Sequence, residues 1–306
     1  MLGVLQGFAL ILGVIGAGYL TALFRVVEGD QRRVLNNVAF YVATPALLFT
    51  VLSQSDPSVM LSPVILVTSA AAIIVAAVFV TASRLWFKRD LASTTLGATC
   101  SGYVNSNNLG LPVAVYILGD AAYVAPLLLV QLVVFAPAVL AILESTRGNQ
   151  RGFLVALGRA ISNPIIIGSI AGLVVALLGW SIPQLIMAPL DMLGAAAIPM
   201  VLLSFGISLR GQRALQPGTG RAAVFAASGL KVLLMPLVAW LLATAFGLDP
   251  HEVFVATTIA ALPTAQNVYN YAATYRRAET ATRDTVFLTT FASLPVIALV
   301  AWLLGS

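Results

Sequence analysis

The sequence predicts an all-α polytopic membrane protein: ten transmembrane helices arranged as a 5+5 inverted repeat, with the fourth and ninth spans broken. Three observations lead there. Apolar runs of about 20 residues recur along the chain, each able to cross a hydrocarbon core of about 30 Å as a helix. Basic residues collect in alternate loops, and prolines recur at matching places in the two halves. Of the 306 residues, 60% are hydrophobic and 9% charged, with a mean hydropathy of +0.99; a soluble domain carries roughly 25% charged residues. No stretch remains for a soluble domain.

Breaks at charged or turn-rich clusters set the spans at 2–26, 34–54, 61–86, 91–119, 121–144, 153–179, 184–209, 222–247, 252–275 and 285–304. Span one has neither a basic n-region nor a small-residue cleavage pattern, so it is expected to stay in the mature protein rather than act as a signal peptide. Span two carries "VATPALLF", with Pro45 inside it, and span seven carries "AAIPMVLL", with Pro199 inside it. Span four contains the lone cysteine, Cys100, which permits no intrachain disulfide and reads as a small packing residue. The "GSIAG" of span six places Gly168 and Gly172 for close helix approach. Trp86, Trp180, Trp240 and Trp302 fall near span ends, where indole rings anchor at the interface.

The net charge of +5 follows from topology and points to no nucleic-acid partner. One set of loops holds Arg25, Arg32 and Arg33; Arg84, Lys88 and Arg89; Arg147, Arg151 and Arg159; Arg210, Arg213 and Arg221; and Arg276, Arg277 and Arg283. The alternate loops, around "SQSDPS", "LGDA", "GWSIPQ" and "GLDPHE", hold no Lys or Arg. The basic set is therefore expected in the cytoplasm and both termini outside, in a multi-pass protein of the cytoplasmic (inner) membrane. Five spans precede the central loop and five follow it, so residues 1–150 and 151–306 form repeats of opposite orientation. The proline of the broken span follows Pro45 by 67 residues in one half and Pro199 by 64 in the other.

The broken spans carry the function. In "SGYVNSNNLGLPVAV", Gly110 and Pro112 are expected to kink or unwind the helix near Leu109–Gly110, because proline lacks the N–H and its ring clashes with the carbonyl four residues back. Pro263 repeats the device in "AALPTAQNVYNYAATY". Freed backbone groups survive at mid-bilayer only where protein or a watery cavity satisfies them. Interrupted helices at corresponding positions of inverted halves mark a transporter's substrate site, where half-helix N-termini favour an anion. Asn105, Asn107, Asn108, Thr264, Gln266 and Asn267 are the candidate substrate-binding residues, since carboxamides and hydroxyls bind without a charge to desolvate. The alternative for each is helix-to-helix hydrogen bonding alone.

At these residues the chain resembles a known family. "NSNNLGLP" is similar to the Asn-(Ser/Thr)-x-x-(Leu/Met)-Gly-x-Pro motif of the auxin efflux carrier family, which includes plant auxin exporters and bacterial carriers of malate or malonate. The likeness extends through "ATPALLF", "ISNPIIIGSIAGLVVALLG", "AAIPMVLLSFGISL" and the second-half "LP" break. It implies the fold shared with bile acid sodium symporters: a scaffold of spans one, two, six and seven, and a mobile transport domain of spans three to five and eight to ten. Spans four and nine would cross in that domain, which moves the anion by an elevator-like step. On that pattern Asn105 is the motif asparagine, while Pro112 and Pro263 are the crossover prolines. "PTAQN" departs from the usual second crossover, and the missing long cytoplasmic loop points to the short bacterial type.

Two charges remain inside spans. Lys231 lies about 15 Å deep, counting 1.5 Å per residue from Arg221, where an unpaired cation costs at least about 2.5 kcal/mol. It is expected to serve substrate or coupling, to pair structurally, or to snorkel. Asp191 is assigned to proton coupling, to capping a kink or to an outer vestibule. Pro45 and Pro199 are read as scaffold kinks. His251 is read as a solvated loop residue.

No cofactor or metal is expected beyond sodium or protons as the coupling ion. The expected partners are a small organic anion, the lipid bilayer and, as an assembly, a second copy of the chain in a homodimer. An intramembrane enzyme would need a nucleophile with its base or paired acids, which the spans do not offer. A sodium-coupled symporter of the bile acid type and a membrane receptor or channel are the competing readings.

Overall fold

A computed structural model describes residues 2–27, 29–55, 62–146, 162–210, 215 and 220–305. Arg147, Arg151, Arg159 and Arg213, the central loop, the start of span six and the "DPS" of the loop after span two lie outside the described residues. The described chain is all helical apart from one isolated pair of bridged residues. Its helices are α1 (Leu2–Leu23), α2 (Gln31–Gln54), α3 (Pro63–Phe87), α4 (Leu91–Gly102), α5 (106–118), α6 (Ala121–Ser145), α7 (Pro164–Leu177), α8 (Gln184–Leu209), α9 (Arg221–Ala245), α10 (Pro250–Ala261), α11 (Gln266–Tyr275) and α12 (Glu279–Leu304). Six of them, α2, α3, α6, α8, α9 and α12, are long and apolar enough to cross a membrane.

Local chemistry starts these helices in a repeated way. Asn163 accepts the N–H of Ile165 at 2.9 Å ahead of Pro164, and Asp249 accepts those of His251 and Glu252 at 2.8 and 3.0 Å ahead of Pro250. Each pair joins a capping side chain to a proline whose missing N–H is no loss in the first turn. Interior prolines act differently. Pro45, Pro112, Pro137 and Pro236 each sit two residues after a π turn, at Ala39–Ala43, Ser106–Gly110, Gln131–Phe135 and Leu230–Leu234. Widening the helix by one residue relieves the clash between the ring and the preceding carbonyl. Pro199 instead follows a single turn residue, Ala196, that separates two segments of α8.

The helices pack in two groups. Helices α1, α2, α7 and α8 lie against one another: α7 on the second half of α2, and α1 on the second half of α8. Backbones approach closely there, since a Cβ at Gly168 or Gly172 would lie 2.6 Å from the carbonyl oxygen of Pro45 or Phe49. Helices α3, α4, α9, α10 and α12 form the other group, with α6 and α11 packed on α4. The groups touch where α8 meets residues 106–110 and α1 meets residues 114–118. Trp86, Trp180 and Trp302 are exposed on the outer surface, as expected of interfacial anchors.

Candidate functional site

Span four is interrupted between α4 and α5, at Tyr103–Asn105, and span nine between α10 and α11, at residues 262–265. The two interruptions meet. Val104 and Thr264 form an antiparallel bridge, in which the Asn105 N–H donates to the Pro263 carbonyl at 2.9 Å and the Ala265 N–H donates to the Tyr103 carbonyl at 3.0 Å. Each break thus satisfies backbone groups of the other, which an isolated unwound segment in lipid has no means to do.

Side chains complete the accounting. Gln131, buried in α6, donates from Nε2 to the Val104 carbonyl at 3.0 Å and accepts from the Ser106 hydroxyl at 2.6 Å. The Tyr103 hydroxyl donates to the backbone carbonyl of Gln131 at 3.2 Å. On the other side, Thr289 of α12 accepts the Thr264 N–H at 3.2 Å. The C-terminal ends of α4 and α10 are also served: the Thr264 hydroxyl donates to the Cys100 carbonyl at 2.6 Å, and Lys231 Nζ donates to the Ala260 carbonyl at 2.8 Å. A helix leaves its last carbonyls without internal donors, so both ends needed a partner.

The N-terminal ends of α5 and α11 instead face a cavity of about 280 Å³. Asn105, Ser106, Asn107, Asn108, Gln131, Gln266, Asn267 and Asn270 line one side of it, with Arg32, Arg33 and Asn36 of α2 on another. Asn105 accepts the Asn108 N–H on its side-chain oxygen at 3.2 Å, and the Asn108 amide donates to Gln266 Oε1 at 3.4 Å. Among the described residues, the N–H groups of Gln266 and Asn267 make no hydrogen bond, and no Asp or Glu lines the cavity. Its formal charge is therefore positive, with open backbone donors at one end.

Asn105, Asn107, Asn108, Gln266 and Asn267 are brought together as the spacing predicts. The other candidates lie elsewhere. Thr264 is fully buried, spends its hydroxyl on Cys100 and does not line the cavity. Gly110 and Pro112 lie in helical backbone rather than in the break, because the π turn at Ser106–Gly110 absorbs the proline and the chain unwinds earlier, at residues 103–105. Pro263, by contrast, does sit in its break. Lys231 is also fully buried, but on the Ala260 carbonyl and the Met235 sulfur, away from the cavity. Asp191 is exposed on α8 and likewise does not line it. His251 is not simply solvated: its Nε2 lies 3.0 Å from the Tyr123 hydroxyl, at the rim of a second cavity of about 480 Å³.

Comparison with known proteins adds an independent line. A family model described as membrane transport protein matches residues 4–301. A protein of Rhizobium meliloti named "Putative malonate transporter" is 28% identical over 305 residues, covering 96% of this chain and 93% of its own length. An uncharacterized transporter of Methanocaldococcus jannaschii is 24% identical over 304 residues, covering 96% and 97%. Another, from Methanothermobacter thermautotrophicus, is 28% identical over 230 residues, covering 72% of each chain.

Proposed function

Because the chain belongs to the membrane transport protein family, we propose that it is a secondary active transporter of a small organic anion, a carboxylate, bound where spans four and nine meet. It is a transport protein and not an enzyme. The observation that carries the reading is the cavity: carboxamides, open half-helix N–H groups and two arginines converge on it, and among the described residues no carboxylate lines it. Its volume of about 280 Å³ falls just under the roughly 300–1,000 Å³ of pockets for drug-sized ligands, which favours a small solute over a steroid-sized one. The name of the Rhizobium relative makes malonate the first solute to try.

The mechanism we propose is a ten-span inverted repeat working as an elevator. Three pairs support the repeat: Gly18 with Gly172, Phe49 with Leu203 and Pro45 with Pro199 each stand 154 positions apart. A Cβ on Gly18 would strike the backbone of Leu203, and one on Gly172 that of Phe49, so the same contact between the halves occurs twice, with the halves exchanged. In this reading spans one, two, six and seven are the scaffold, and the remaining spans, crossed at Val104 and Thr264, move as a unit. Orientation follows the loop charges: basic loops in the cytoplasm, termini outside, in the inner membrane. The cavity then opens inward, with Arg32 and Arg33 at its mouth.

Uptake by the reconstituted protein tests the proposal. Proteoliposomes are offered malonate and other small carboxylates under imposed sodium, proton and voltage gradients, which also identifies the coupling. Saturable uptake driven by one of the gradients is expected. Binding without flux would assign a receptor, and uptake of large amphipathic anions in preference to small ones would assign the bile acid type.

A further inference from the structure

The cavity is built from both helix groups, and its charge is divided unequally between them. Its carboxamides come from α5 and α11, whereas its two cations, Arg32 and Arg33, come from α2, which packs on α7 and α8. Arg32, Asn36 and Phe40 are spaced i, i+4, i+8, so one face of α2 lines the cavity over about two turns. Neither arginine makes a hydrogen bond or an ion pair with any described residue. A guanidinium beside a cavity that no described acidic side chain lines presents its planar fork to whatever anion enters, and that fork matches a carboxylate through two parallel hydrogen bonds.

We propose that Arg32 and Arg33 form a second carboxylate subsite, fixed to the α1, α2, α7 and α8 group, that selects dicarboxylates and acts on one face of the membrane only. The proposal rests on the transport reading above. One carboxylate of the solute sits among the carboxamides and the open N–H groups of α11, while the other meets the guanidinium pair. When the unit carrying α5 and α11 moves, the carboxamide half of the site travels with the solute and the arginine half stays behind. The arginines therefore strengthen capture from the side on which they stand and drop out of the site on the other side. A monocarboxylate has no group for them and gains only general attraction from their charge.

The test compares malonate with its monomethyl ester, which loses one charge and adds a single methyl group, in inside-out and right-side-out vesicles. For the Arg32→Gln, Arg33→Gln double variant, the malonate KM in inside-out vesicles is expected to rise about ten-fold or more, the range for lost hydrogen bonds to charged groups. The preference for malonate over the half-ester should fall by a similar factor there, while the right-side-out KM changes by less than about two-fold. Half-ester flux through the same variant reports an inserted, working protein, and Arg32→Lys, Arg33→Lys is expected to recover part of the preference. An equal KM change on both faces, an equal loss for the half-ester, or no change at all would overturn the subsite. A wild-type protein that moves neither anion would overturn the transport reading itself and this proposal with it.

Discussion

The two interrupted helices solve one problem by different chemistry. Each leaves an unwound segment between two half-helices, and each pairs with the other across the Val104 and Thr264 bridge. At the carbonyl end of α4 the donor is a hydroxyl, Thr264 on Cys100; at the carbonyl end of α10 it is the buried amine of Lys231, on Ala260. The donor ends differ as well. The first break runs into a π turn crowded with Asn105, Asn107 and Asn108, while the second runs into regular helix with open N–H groups at Gln266 and Asn267. What the difference teaches is a division of labour between the breaks: Lys231 closes the carbonyl end of α10 away from the cavity, and the carboxamides line the cavity.

Substitutions break or sharpen that comparison. The largest effect is expected from Gln131→Leu, which strips partners from the Val104 carbonyl and the Ser106 hydroxyl together. Each buried polar group left unpaired costs about 1–3 kcal/mol, so a marked drop in thermal midpoint and near-complete loss of flux should appear in the same preparation. Asn105→Ala removes the side-chain oxygen that holds the Asn108 N–H. It should cut flux at least about ten-fold, taking about 1.4 kcal/mol per decade, with a smaller change in midpoint; intact malonate uptake by this variant would remove Asn105 from the site.

Lys231→Leu replaces a buried amine by an apolar chain and leaves only the Ala260 carbonyl in want of a donor. We expect a loss of about 1–3 kcal/mol in stability with the malonate KM nearly unchanged, because Lys231 does not line the cavity; a large KM effect would return Lys231 to the substrate. The smallest effect belongs to Pro112→Ala. With the break two turns upstream, this change should let the π turn relax and alter flux by less than about three-fold, at most about 0.7 kcal/mol. Abolished transport would restore Pro112 to the crossover.

Much of the architecture was legible because a bilayer imposes length, charge and pairing rules on the chain. The apolar runs located the long helices, and the pairing of carboxamides with prolines marked which two spans would be interrupted. The family resemblance read from "NSNNLGLP" holds across residues 4–301. The position of the first break was not legible: proline alone predicts unwinding where it stands, yet a π turn absorbs it locally, and the bridged segment at Pro263–Ala265 pairs with the chain where it opens. Gln131 was missed although a lone glutamine in an apolar span signals a buried partner. Arg32 and Arg33 were counted as topology charges, because only tertiary packing brings the start of α2 over the carboxamides.

The most direct measurement uses the burial of the lone native thiol, Cys100, as a silent background for a cysteine at Asn270, which lines the cavity one turn along α11. The rate at which a charged thiol reagent modifies Asn270→Cys is followed with and without malonate. The account expects malonate to slow modification at the concentrations that saturate uptake, and Asn105→Ala in the same chain to abolish the protection. A modification rate indifferent to malonate while uptake proceeds would contradict it, since the solute would then cross somewhere other than between the two breaks.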